Sequence, residues 1–76
     1  MGKRKMLKYP VIIEKCDNNY SAFSPDLPGC IATGKTEEET LNRMKEAINF
    51  HIEGLKKDGF VVPEPSTKIE YIDVSV

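Results

Sequence analysis

A chain of 76 residues with 11 Lys plus Arg against 12 Asp plus Glu has a formal charge of -1, which excludes a protein held on nucleic acid by bulk charge. The length fits one domain with a thin core, of the kind that oligomerisation or a partner supplements. Apolar residues at 39% and charged ones at 30% exclude a disordered or fibrous chain. No apolar run approaches the roughly 18 residues that span a bilayer, and no signal-peptide pattern opens the sequence. Cys16 and Cys30 are too few for a disulfide framework or a metal site. Reduced thiols, a cytoplasmic setting, and neither cofactor nor metal are therefore expected. The crowd of Lys3, Arg4, Lys5 and Lys8 reads as a solvated terminus in preference to a phosphate-touching arm.

Residues 6–16 alternate, with Leu7, Tyr9, Val11 and Ile13 on one face, and predict a strand buried on one side. Asp17-Asn18-Asn19 is a turn, and Tyr20–Ser24 a second strand forming a hairpin with the first. Pro25, Asp26, Leu27, Pro28 and Gly29 break regular structure before a short third strand, Cys30–Lys35. Thr36 is a helix N-cap and Glu39 its capping-box partner. The helix is expected from Glu37 to Asp58, with Leu41, Met44, Ile48, Ile52 and Leu55 as its apolar stripe and Gly59 past its end. Phe60–Ser66 is an extended, proline-stiffened connection. Ile69–Val76, rich in β-branched and aromatic residues, reads as a fourth strand.

The expected fold is thus α+β, ordered β-β-β-α-β. Its four-stranded sheet has the order 3-2-1-4, with strand four parallel to strand one and a single helix on one face. The other face and both edges are left open for pairing, which predicts at least a dimer.

Gly29-Cys30-Ile31-Ala32-Thr33-Gly34-Lys35-Thr36 matches the phosphate-binding pattern G-x-x-x-x-G-K-[ST] letter for letter. That chemistry needs a flexible loop after a buried parallel strand. Here the middle of the segment reads as strand, so Thr36 is taken as a cap. His51, the single histidine, has no Ser, Cys or carboxylate obviously placed for a triad and reads as structural. Glu14, Glu70 and Asp73 are dispersed carboxylates without a metal-binding motif. Phe50 lies off the main stripe and is a candidate partner contact.

Four segments carry a family resemblance: Tyr9-Pro10-Val11-Ile12-Ile13-Glu14, Ser24-Pro25-Asp26-Leu27-Pro28-Gly29-Cys30, Gly34-Lys35-Thr36-x-x-Glu39, and Pro63-Glu64-Pro65-Ser66. The chain resembles the N-terminal domain of HicB-like antitoxins over residues 7 to 66. It departs from the family pattern in having Lys35 before the cap and Thr40 after the capping glutamate. The resemblance implies a partial RNase H-like fold and a type II antitoxin that is not an enzyme. Such an antitoxin neutralises a HicA-like ribonuclease that cuts messenger RNA. It also implies a homodimer or tetramer. No DNA-binding module follows the expected fourth strand, so direct DNA binding is not expected, and neither is a membrane partner.

A blocker of a cationic ribonuclease profits from acidic groups around an apolar centre. Asp26, Glu37, Glu38 and Phe50 are the candidate partner contacts, with Asp17, Glu64 and Glu70 also carried outward. Two alternatives remain. One is a solitary HicB-like domain that self-associates or binds another protein. The other is an RNase H-like or nucleotide-binding enzyme, which would need converging carboxylates on a metal.

Overall fold

The computed structural model describes residues 6–76, so Lys3, Arg4 and Lys5 lie outside the described residues. Three short strands, β1 (Ile12–Lys15), β2 (Tyr20–Phe23) and β3 (Ile31–Gly34), precede one helix, α1 (Glu37–Lys57). The strands form an antiparallel sheet in the order β1-β2-β3. The β1–β2 hairpin closes where Cys16 N–H donates to the Asn19 carbonyl at 2.7 Å.

Register sorts the side chains by face, because directly opposed residues of antiparallel strands project to the same side. Ile13, Ala22 and Ala32 are opposed across the sheet, and so are Lys15, Tyr20 and Gly34. This is the helix-covered face: Ala22, Leu27, Cys30 and Met44 form the buried core, and Tyr9, Val11, Ile13, Ala32, Ala47 and Ile48 pack against it. The opposite face carries the row Ile12, Phe23, Ile31 and the row Glu14, Ser21, Thr33. No described element covers it.

Helix α1 starts as its cap residues dictate. Thr36 is extended, and its Oγ1 accepts from Glu39 N–H at 3.0 Å. Glu39 Oε1 reaches back towards Lys35 N–H at 3.5 Å. Glu37, Glu38 and Glu39 in the first turn and Lys56 and Lys57 in the last complement the helix dipole. At the other end Gly59, at φ 77°, donates to the Lys56 carbonyl, and Phe60 N–H donates to the Leu55 carbonyl at 2.8 Å. That pair of bonds is a Schellman cap, which needs a residue tolerant of positive φ at the Gly59 position.

The buried stripe differs from the expected one. Thr40 and Met44 are fully buried and Ala47 and Ile48 pack beneath them, whereas Leu41 is exposed. A threonine leads the stripe because its hydroxyl donates to the Thr36 carbonyl at 2.7 Å and needs no water. Gly34 lets that turn approach: a Cβ at Gly34 would lie 2.6 Å from Thr40 Oγ1 and 2.9 Å from its backbone nitrogen.

The fourth strand and the 3-2-1-4 order are overturned. The sheet has three strands, and residues 60–76 contribute none. The connection after α1 is held elsewhere: the Tyr9 hydroxyl donates to the Pro63 carbonyl, and Ser66 and Thr67 bind Asp26. Beyond these bonds the side chains are largely exposed, Tyr71 at 93% and Ile72 at 82%. Strand propensity is present in Ile69–Val76, but the segment joins no sheet. The first strand is also shorter than the residue 6–16 alternation suggested.

The close approach at Gly34 makes a prediction. Gly34→Ala should cost about 1–3 kcal/mol in urea unfolding, since the obstructing atoms include backbone. Gly54→Ala, where an added Cβ meets nothing within 4 Å, should instead stabilise by about 0.5–1 kcal/mol as an ordinary helix-interior change. Equal, small effects at both positions would contradict this packing.

Candidate partner-binding site

The segment between β2 and β3 is a tight turn that builds two things at once. Leu27 N–H donates to the Ser24 carbonyl at 3.2 Å, and Cys30 N–H to the Leu27 carbonyl at 3.1 Å. These bonds sink Leu27 into the core and turn Pro25, Pro28 and Gly29 outward. They also present Asp26 to the chain that follows the helix.

Asp26 Oδ1 accepts from Ser66 Oγ at 3.1 Å and from Thr67 Oγ1 at 2.9 Å. Thr67 N–H is shared between Oδ1 at 3.2 Å and Oδ2 at 3.3 Å. Partial desolvation pushes the Asp26 carboxyl up. The bonds from Thr67 and Ser66 outweigh it, and the net shift is below the ordinary value of 3.8. Tyr9, beside this clasp, is shifted upward by burial first and then by Glu64 and Asp26. It therefore stays a hydroxyl donor to Pro63.

A groove of about 440 Å³ lies between the start of β3 and the second half of α1. Its rim is apolar: Phe50 is 82%, Ile31 65% and Phe60 64% exposed. Ala47 and Gly54 keep its floor open, because neither carries a side chain beyond Cβ. Beside it, Arg43 Nη1 donates to the Thr33 carbonyl at 3.0 Å while Nη2 pairs with Glu39 at 3.1 Å. The helix is thereby pinned along the β3 edge.

The four candidate contact residues do not form one site. Phe50 stands on the groove, but Asp26 is occupied by Ser66 and Thr67. Glu37 and Glu38 are exposed at the start of α1, about 20 Å along the helix from Phe50. Asp17 is exposed in the β1–β2 turn, and Glu70 pairs with Lys68 at 3.1 Å. Sequence reasoning missed Ile31 and Phe60 as rim residues. The Schellman rule, which brings the residue after the C′ glycine back to the last turn, would have found Phe60. No sequence signal linked Ser66 and Thr67 to Asp26.

The phosphate-loop pattern has a structural explanation here. Ile31–Gly34 is strand β3, Gly34 admits Thr40, and the Thr36 hydroxyl serves Glu39. His51 and Cys30 line the same groove. Burial raises the Cys30 thiol pKa, the reverse of what activates a cysteine nucleophile. Among the described residues no group of three or more His, Cys, Asp or Glu could hold a metal ion. No helix among them is long and apolar enough to cross a membrane.

The clasp predicts a pH and mutational response. A carboxyl whose pKa is depressed by folding stabilises the folded form above its ordinary pKa and loses that contribution as pH falls through the depressed value. Protection of the Thr67 amide against hydrogen exchange should hold from neutral pH down to the ordinary carboxylate range near 3.8 and weaken below it. Asp26→Ala should abolish that protection at every pH. An amide equally protected in the variant would refute the clasp.

Known proteins resemble this chain along most of its length. Residues 9–75 match the family model described as the HicB-like antitoxin of bacterial toxin-antitoxin systems. An uncharacterised 14.9 kDa protein of Haemophilus phage HP1 is 42% identical over 65 residues, covering 86% of this chain and 49% of the phage protein. Antitoxin HicB 2 of Photorhabdus laumondii is 32% identical over 66 residues, covering 87% of this chain and 48% of that antitoxin. This chain therefore spans about half the length of both relatives. A solved HicA3 and HicB3 toxin-antitoxin complex contains a chain that superposes with a TM-score of 0.67 at 33% identity, covering 79% of this chain and 70% of that one. On this evidence the chain belongs to the HicB-like antitoxin family of bacterial toxin-antitoxin systems.

Proposed function

We propose that this chain is an antitoxin that neutralises a HicA-like ribonuclease by binding it, in the cytoplasm and without chemistry of its own. The observation that carries the reading is the shared fold, at 33% identity, with a chain of a HicA3 and HicB3 toxin-antitoxin complex. The groove between β3 and α1 supplies a surface suited to the task. Three large apolar side chains, Ile31, Phe50 and Phe60, stand exposed around it. Exposed aromatic residues on a pocket rim are the usual anchors of a protein interface.

Charge complements this surface more loosely. A ribonuclease that holds phosphates is cationic, and Glu37 and Glu38 give the start of α1 a negative field. Separated from the groove by several turns, they serve encounter and orientation more than the bound contact. Asp26 serves the protein's own tail. The buried Cys30 thiol and the capped phosphate-loop pattern support a binding protein over a nuclease or nucleotide-dependent enzyme.

Phe50 tests the surface. Because its ring is exposed in the free protein, Phe50→Ala should leave the unfolding midpoint nearly unchanged. It should weaken calorimetric affinity for a HicA-like toxin roughly 10- to 100-fold, the loss expected on truncating an aromatic anchor. Glu37→Gln with Glu38→Gln should mainly slow association and reduce its salt dependence. Unchanged affinity in Phe50→Ala would remove the groove from the interface.

A further inference from the structure

We infer that the groove between β3 and α1 is a subsite for an arginine side chain of the protein partner. This deepens the proposed function and rests on it for the partner, while the chemistry of the subsite rests on the groove itself. Among the described residues lining the groove, Asp58 is the one carboxylate, and neither Lys nor Arg is among them. Asp58 serves the fold through its backbone, whose N–H donates to the Gly54 carbonyl at 3.1 Å. Its side chain is exposed. The ion pairs among the described residues join Arg43 to Glu39 and Lys68 to Glu70, and leave Asp58 out.

The surroundings strengthen this negative centre. Asp58 is the C-cap of α1, where aligned peptide dipoles leave about half a negative charge. Lys56 and Lys57 line the neighbouring depression together with Glu53 and do not line this groove. Phe50 and Phe60 stand exposed on the rim, and an aromatic ring attracts a cation to its face. His51 adds a third ring to the same wall. Gly54 carries no side chain, so an incoming group can approach the helix backbone near Asp58.

These features select among the anchors a partner could offer. A wholly apolar side chain would cover the Asp58 carboxylate and leave it without water or a counter-charge, which is costly. An acidic side chain would meet both that carboxylate and the negative end of the helix. Lysine carries a compact and strongly hydrated charge, whereas the guanidinium is planar, more weakly hydrated and able to stack on aromatic rings. An arginine stem also lies along apolar surface, here Ile31 and the two phenylalanines, while its head reaches the carboxylate. Arginine is therefore the one anchor that uses rim and carboxylate together. A cationic, phosphate-holding toxin is a surface on which such a side chain is available.

Nuclear magnetic resonance titration of the full chain with N-acetyl-arginine amide, with no toxin present, tests the subsite. Saturable shifts at Phe50, Asp58 and Phe60 are expected, with a dissociation constant in about the millimolar range. N-acetyl-citrulline amide, which keeps the shape and lacks the charge, should leave them in place. Asp58→Asn should abolish the arginine response with unchanged helical circular dichroism. Glu14→Gln, on the edge strand farthest from β3, removes the same charge and should preserve it. No saturable shift, equal responses to arginine and citrulline, shifts centred on Glu37 and Glu38, or an undiminished response in Asp58→Asn would each overturn the inference. Against a HicA-like toxin, Asp58→Asn should weaken calorimetric affinity about tenfold and Glu14→Gln far less, and equal losses would overturn the assignment to the partner. A toxin that the wild-type chain fails to bind would strike the proposed function, while the arginine titration still decides the subsite.

Discussion

The structure turns on how closely the first turn of α1 sits on the end of β3. Gly34 has no side chain, Thr40 occupies the space above it, and the Thr40 hydroxyl donates a hydrogen bond to the Thr36 carbonyl. This contact fixes where the helix begins, and Arg43 extends the same seam by bonding the Thr33 carbonyl. With the start of α1 locked to β3, Met44 falls onto Ala22 and Leu27, and Ala47 and Ile48 follow it onto the sheet. Phe50 then has nowhere to go but outward, over the groove that opens as helix and strand diverge.

A second constraint works on the far side of the same turn. The residues between β2 and β3 bury Leu27 and Cys30 and hold Asp26 towards the segment after the helix. One short loop thus supplies core, groove wall and tail anchor. Its prolines and glycine matter chiefly for the backbone shape that allows all three. Few apolar residues are fully buried among those described, so the fold depends on such multiple uses of one segment. A domain this small has little surplus stability to spread.

Much of this was legible in the sequence. The capping box at Thr36 and Glu39, the C′ glycine at Gly59, the hairpin turn at Asp17–Asn19 and the alternation of Tyr9, Val11 and Ile13 are local signals, and the structure follows them. The helix stripe was misjudged at Leu41 and Thr40, because periodicity cannot see that a threonine hydroxyl finds a carbonyl one turn back. The fourth strand was misjudged for a different reason. Propensity in Ile69–Val76 reports what the segment can do, and only the long-range bonds from Asp26 and Tyr9 decide where it goes. Phe50 was legible as an off-stripe aromatic. That Asp26 binds the protein's own chain was not, since a loop carboxylate looks the same in sequence whether its partner is internal or foreign.

Family membership is shown by the match over residues 9–75, and inhibition through contact is the function proposed from it. The most direct test is to titrate the purified chain into a HicA-like ribonuclease and follow cleavage of a messenger RNA substrate. Cleavage should fall in proportion to added protein and reach its floor at a fixed stoichiometry. Cleavage that proceeds at the same rate at every concentration, with both proteins folded, would contradict it.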